Sequence, residues 1–152
     1  LLTVVSDTTA TFMPRLRRAN CRVSLDVPSS LMLDSYPGSV YQIFTNLLNN
    51  ALMHAFEGRS EGQIVIHAQA SGGELAEISF SDNGVGMSEE VRRHVFDPFF
   101  TTKMGQGGTG LGMNIVYNIV SGVLGGRIAI DSAPGAGTVI RISLPLSSPL
   151  HN

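Results

Sequence analysis

The spacing of apolar and polar positions changes period several times along this chain. Arg22-Val23-Ser24-Leu25-Asp26-Val27 alternates and predicts a strand. Residues 63–69 alternate too, with Ile64, Ile66 and Ala68 on one side, and residues 75–81 predict another strand. Val40, Ile43, Phe44, Leu47, Leu48, Ala51 and Ala55 form one stripe at helical spacing, so a long helix is expected over about 38–56. Residues 3–20 read as a helix, with Pro14 arguing against an unbroken one. Ser88 is a natural N-cap for a short helix that opens Glu89-Glu90. A helix over 111–123 and strands over 127–131 and 138–144 complete the pattern. Residues 97–110 form a connection longer than most, and such loops are often lids. With no repeat and no linker, residues 1–152 are expected to be one α/β domain: a two-layer sandwich whose mixed, mostly antiparallel sheet is covered on one face by helices.

Composition narrows the options. A chain of 152 residues can bury a real core. The single cysteine, Cys21, excludes an internal disulfide and a multi-cysteine metal site, and fits a reducing compartment. No apolar run is long enough to cross a bilayer, and the first residues lack a basic start and a small-residue cleavage site. A cytoplasmic location without direct membrane contact is therefore expected. The net charge of −2 gives no reason to expect nucleic acid. Of ten basic residues only Lys103 is a lysine, and it stands beside a glycine-rich loop. A flexible point charge there suits phosphate, against the alternative of a solvated loop side chain.

On the long helix, Asn46, Asn50 and His54 follow one another at i, i+4 and i+8 and climb one edge of the apolar stripe. Helix stability does not ask for two asparagines there. An amide oxygen is a hard, neutral ligand that suits Mg²⁺, and an amide NH₂ can donate to phosphate. Taken alone, the pair reads better as polar surface at the rim of a core, and His54 as a rim residue.

Asp82 ends an apolar strand and opens Asp82-Asn83-Gly84-Val85-Gly86-Met87. Gly84 and Gly86 permit positive φ and close approach of a ligand to backbone. A carboxylate at the bottom of such a turn can accept from the exocyclic amine of adenine, whereas guanine would set an acceptor against it. The competing reading is a plain Asp-Asn-Gly turn.

Gly105-Gln106-Gly107-Gly108-Thr109-Gly110 satisfies the dinucleotide-binding pattern G-x-G-x-x-G, with Asp131 about 20 residues on at a strand end. That pattern should follow a buried strand directly, and here Asp97-Pro98-Phe99-Phe100-Thr101-Thr102 precedes it. It also leaves Asp82 and the asparagines unexplained. No Gly-Lys-Ser/Thr follows, so this is not a Walker loop. Common to all such loops is a cradle for phosphate, here the N–H groups of Thr109 to Gly112 and the start of the next helix.

Together these segments resemble the ATP-binding catalytic domain of sensor histidine kinases. Asn46-Leu47-Leu48-Asn49-Asn50-Ala51, Asp82-Asn83-Gly84-Val85-Gly86-Met87, Phe96-Asp97-Pro98-Phe99-Phe100-Thr101-Thr102-Lys103 and Gly108-Thr109-Gly110-Leu111-Gly112 look like its N, G1, F and G2 boxes. Gly135-Ala136-Gly137-Thr138 looks like the closing G3 element. The resemblance covers roughly residues 36–146, in order and spacing. It implies the Bergerat α/β sandwich with a mobile ATP lid, and ATP and Mg²⁺ as cofactors. Asn50 would ligate the magnesium, and Asn46 would support the metal and phosphates. Asp82 would accept from the adenine amine, with Gly84, Gly86 and Met87 at the floor of the site. His54 would stand where many relatives pack an aromatic ring on the base. Phe96 and Phe99 would pack the lid hinge. Gly108, Thr109, Gly110, Leu111 and Gly112 would hold the triphosphate, and Thr138 would make a second polar contact near the base.

Two positions depart from the family pattern. Many sensor kinases carry a basic residue three positions after the magnesium asparagine, where this chain has Met53; Lys103 is expected to replace that contact in part. The hydrolytic branches place a glutamate base where this chain has Asn46, so transfer to a protein group is expected over hydrolysis. None of His54, His67, His94 and His151 sits in an acceptor-helix pattern. The resemblance therefore implies two partners: a histidine-bearing dimerisation domain of the same parent protein, and a downstream response-regulator receiver domain. Residues 1–20 would be the entry from that missing part. A nucleotide-binding regulatory module of the same fold, such as an anti-sigma-type serine kinase, and a dinucleotide-binding oxidoreductase domain are the alternatives.

Overall fold

The computed structural model describes residues 1–33, 36–55, 61–98 and 112–147, the side chains of His54 and Ala55 excepted. Five strands form one sheet: β1 (Cys21–Asp26), β2 (Gly62–Ser71), β3 (Leu75–Asp82), β4 (Arg127–Ser132) and β5 (Thr138–Pro145). Their spatial order is β1-β2-β3-β5-β4. The β1–β2 pair is parallel and the other three are antiparallel, so the sheet is mixed. Parallel neighbours need a crossover, and the one between β1 and β2 contains α2 (Pro37–Asn50). The remaining helices are α1 (Leu2–Arg18), α3 (Glu89–His94) and α4 (Gly112–Asn118). Ser88 caps α3 as its sequence suggested, its Oγ accepting from the Val91 N–H at 3.2 Å.

Period-2 alternation decides which sheet face is covered. Ile64, Ile66, Ala68, Ala76, Ile78, Phe80, Ile140, Ile142 and Leu144 are buried, and meet Ile43, Phe44, Leu47, Leu48, Val116 and Val120 in one core. The opposite face carries cross-strand polar pairs. His67 Nδ1 lies 2.7 Å from Asp26 Oδ2, Ser143 Oγ donates to Glu77 Oε2 at 2.6 Å, and Arg141 Nε lies 3.3 Å from Asp131 Oδ2.

Two expectations are corrected. Pro14 does not break α1, which runs unbroken from Leu2 to Arg18. Val5, Thr8, Thr9, Phe12 and Leu16 are buried on one face on both sides of the proline, and that packing outweighs one missing hydrogen bond. Nor do the two long predicted helices stay α-helical. α2 gives way to a π-helical turn at Ala51–Ala55, and α4 to another at Ile119–Val123. The wider i→i+5 turn is visible in the Leu124 N–H donating to the Ile119 carbonyl at 2.9 Å.

Candidate nucleotide site

The candidate site lies between α2 and the inner ends of β3 and β5. A small cleft of about 40 Å³ is lined by Leu47, Asn50, Ala51, Phe80, Asp82, Gly86, Met87, Thr138 and Ile140. Asp82 and Thr138 are register partners on adjacent strands, so their side chains leave the sheet side by side. Leu47 and Ala51 come from the apolar stripe of α2, and Phe80 and Ile140 from the covered sheet face. The cleft therefore has apolar walls and a polar end, as a flat heteroaromatic base requires.

Local hydrogen bonds fix the acidic turn. Asp82 Oδ1 accepts from the Gly84 N–H at 2.8 Å. Asn83 Oδ1 accepts from the Gln63 N–H at 2.8 Å, and its own N–H donates to the Gln63 carbonyl at 3.2 Å. Of the two glycines expected to supply positive φ, Gly86 does so at 73° and Gly84 does not. A Cβ on Gly86 would stand 1.9 Å from the Ala133 carbonyl oxygen, so only glycine fits. Gly137, at φ 73°, is held in the same way: its Cβ would stand 2.2 Å from the Asp82 carbonyl oxygen. Burial pushes the Asp82 carboxyl above the ordinary range, and backbone N–H donation from Gly84 and Thr138 opposes this.

Asn50 lines the cleft, and no described residue hydrogen-bonds its amide. An amide oxygen so placed suits a hard cation that keeps most of its waters and takes phosphate oxygens besides. Asn46 lies one turn earlier and outside the cleft lining. Its Nδ2 donates to the Gly112 carbonyl at 3.1 Å, and its Oδ1 accepts from Gln42 Nε2 at 2.6 Å. It thus ties α2 to the first residue of α4. Phe96 packs against Tyr117, ring centroids 5.4 Å apart, and its carbonyl accepts from Asn114 Nδ2 at 3.0 Å. Phe99, Lys103, Gly108, Thr109, Gly110 and Leu111 lie outside the described residues, as does the His54 side chain.

Three contributors escaped the sequence reading. Ser132 Oγ accepts from the Met87 N–H at 2.8 Å, donates to the Gly137 carbonyl at 2.9 Å and lies 2.8 Å from Thr138 Oγ1. It joins the acidic turn to the last two strands, and its only signal is its place at the covered-face end of β4. Asn114 anchors Phe96. Asn49 accepts from Arg15 Nη1 at 3.0 Å and so holds α1 to α2. Asp131, the acid of the dinucleotide pattern, is excluded from the site. It sits exposed on edge strand β4, paired with Arg141 on the open face, in a sheet where β4 and β5 are antiparallel. A dinucleotide fold needs parallel strands there.

Residues 36–148 match the family described as histidine kinase-, DNA gyrase B- and HSP90-like ATPases. The chain is 34% identical over 151 residues to the sensor histidine kinase RcsC of Escherichia coli, which covers 94% of this chain and 15% of that protein. Similarity to sporulation kinase E of Bacillus subtilis is 31% over 144 residues, or 94% of this chain and 19% of that protein. The chain thus spans under a fifth of the length of these relatives. Its fold superposes on the nucleotide-free catalytic domain of histidine kinase ThkA with a TM-score of 0.84 and 25% identity, covering 97% of this chain and 93% of that one. Against full-length ShkA in complex with AMPPNP the TM-score is 0.77 at 24% identity, covering 94% of this chain and 29% of that one. No described helix is long and apolar enough to cross a membrane. The family match over 36–148, the sensor-kinase relatives and the catalytic-domain fold agree: the chain belongs to the histidine kinase-, DNA gyrase B- and HSP90-like ATPase family, as a nucleotide-binding catalytic domain of the sensor histidine kinase kind.

Proposed function

We propose that this domain is cytoplasmic, binds Mg·ATP and presents the γ-phosphoryl group to a histidine on a separate dimerisation domain of the same parent protein, from which it passes to a response-regulator receiver domain. The observation that carries the reading is the cleft between α2 and β3/β5, with Asp82 and Thr138 at its base end and Asn50 on its wall. Asp82 accepts from the adenine amine. Leu47, Ala51, Phe80 and Ile140 exclude water from the ring. Asn50 would hold the magnesium, which would supply positive charge against the phosphates. Asn46 acts through Gly112, fixing the end of the glycine segment 108–112 that holds the triphosphate. Lys103 supplies the second positive charge.

No glutamate base occupies the helix position of Asn46, so water at the γ-phosphate is poorly activated from that position. The protein's share of catalysis is positioning and charge stabilisation, and the incoming imidazole brings its own nucleophilicity.

The test supplies a histidine-bearing helical-hairpin domain in trans with Mg·ATP. A phosphate on that hairpin that is labile in acid and stable in base supports phosphotransfer. Incorporation as an acid-stable ester would instead mark a serine kinase of the same fold. ATP binding with no transfer to any hairpin would contradict the catalytic part of the reading.

A further inference from the structure

Hydrogen-atom accounting around Ser132 says more about the base end of the cleft than its shape does, granting that this cleft takes the purine. Ser132 Oγ has one hydrogen and two lone pairs. Its neighbours are the Met87 N–H, which can only donate, the Gly137 carbonyl, which can only accept, and Thr138 Oγ1, which can do either. One allocation satisfies all three. Ser132 donates to Gly137, accepts from Met87, and takes its second incoming hydrogen from Thr138. The hydroxyl of Thr138, a residue 5% exposed, then has its only hydrogen turned away from the cleft. Toward the cleft it presents lone pairs alone. Its register partner Asp82, when ionised, also presents lone pairs alone.

We infer that Ser132 is a specificity-determining positioning residue. By locking the Thr138 hydroxyl as an acceptor, it makes the base end of the cleft a double-acceptor wall that takes a 6-amino purine and rejects a 6-oxo purine. An amine, or a water held by it, brings hydrogens to both acceptors. A 6-carbonyl brings no hydrogen of its own to two acceptors, and the single N1–H beside it can satisfy only one of them; a buried acceptor left unmatched in this way is a strong discriminator. Ser132 touches no part of the nucleotide; it acts only through the direction in which Thr138 points.

The test compares the dissociation constants of Mg·ATP and Mg·ITP, which differ only in the groups at positions 1 and 6 of the purine ring. Removing the Ser132 hydroxyl frees the Thr138 hydrogen to turn into the cleft and donate to a carbonyl. In Ser132→Ala the ratio Kd(ITP)/Kd(ATP) should therefore fall roughly tenfold. Ser132→Thr, which keeps the hydroxyl, should hold the wild-type ratio. In a Thr138→Val background, Ser132→Ala should leave the ratio where Thr138→Val alone puts it. Where Ser132→Ala fails to fold, Ser132→Cys carries the same comparison, because a thiol is a poor partner for all three neighbours. An unchanged ratio in Ser132→Ala, with both nucleotides weakened alike, would reduce Ser132 to a structural tie and overturn the inference. A wild-type protein that binds ATP but not in preference to ITP would overturn it too. One that binds neither nucleotide would overturn the nucleotide reading beneath it as well.

Discussion

The Nδ2 of Asn46 donates to the carbonyl of Gly112 at 3.1 Å, joining two residues 66 positions apart in the chain. Through this bond the middle of α2 holds the start of α4, where the glycine-rich segment ends. Asn46→Ala should lower stability by about 1 kcal/mol, the usual worth of such a bond. It should also weaken Mg·ATP severalfold. Urea unfolding and calorimetric titration read the two effects together. A loss of affinity with an unchanged unfolding midpoint would show that Asn46 acts on the nucleotide directly, not through Gly112.

Three glycines of positive φ around the acidic turn should respond differently to alanine. Gly86 and Gly137 face carbonyl oxygens at 1.9 and 2.2 Å from a built Cβ, so their alanine variants add a backbone clash to the strain of the left-handed region. Gly135, with φ 79°, meets nothing within 4 Å and carries the strain alone. The expected cost is about 1–2 kcal/mol for Gly135→Ala and clearly more for the other two. Equal denaturation midpoints for all three would contradict the packing of this turn.

Asp82 links affinity and stability with opposite signs. Burial raises its folded pKa above the unfolded value, so the folded state holds the proton more tightly. Stability therefore falls as pH rises through the interval from the ordinary carboxylate range, about 4, up to the raised folded value. At neutral pH the ionised carboxylate is a net burden on the fold. Asp82→Asn should keep or raise the melting temperature while losing ATP affinity. In the wild type, affinity should decline with acidification at a pH above the ordinary carboxylate range. A variant that melts markedly lower would contradict this assignment of burial as the dominant influence.

Cys21 is buried on β1, and burial first, then the nearby Asp82 charge, push its thiol up to about 11. The reactive thiolate is therefore scarce at neutral pH. Alkylation of the folded protein at pH 8 should run about a hundredfold or more below the rate in denaturant. Because the thiol is raised in the folded state, the Cys21 contribution to stability is lost as pH rises from about 9 toward 11. Rapid labelling of the native protein, with no change in circular dichroism, would contradict the burial of this strand.

Period carried most of the fold. Strands whose alternation reports one covered face, such as Ile64-Val65-Ile66-His67-Ala68, can be read in isolation, and so can the apolar stripe of α2. Pro14 misled because its local penalty is small beside the burial of Phe12 and Leu16 on either side. The π-helical turns at Ala51 and Ile119 left no mark, since their apolar residues also satisfy an α-helical period. In the site, Asp82, Gly86, Asn50 and Thr138 were legible because ligand chemistry restricts their type. Ser132 and Asn114 were not. A serine or asparagine that bonds backbone across tens of residues has no local pattern, and only the folded register brings Ser132 to Met87.

The most direct test of the account is calorimetric titration of the domain with Mg·ATP, repeated on Asp82→Asn. Magnesium-dependent ATP binding that is lost in the variant, while the variant stays folded, is the predicted result. Equal ATP binding by wild type and Asp82→Asn would place the base somewhere other than the cleft between α2, β3 and β5, and the roles given to Asp82, Thr138 and Ser132 would fall with it.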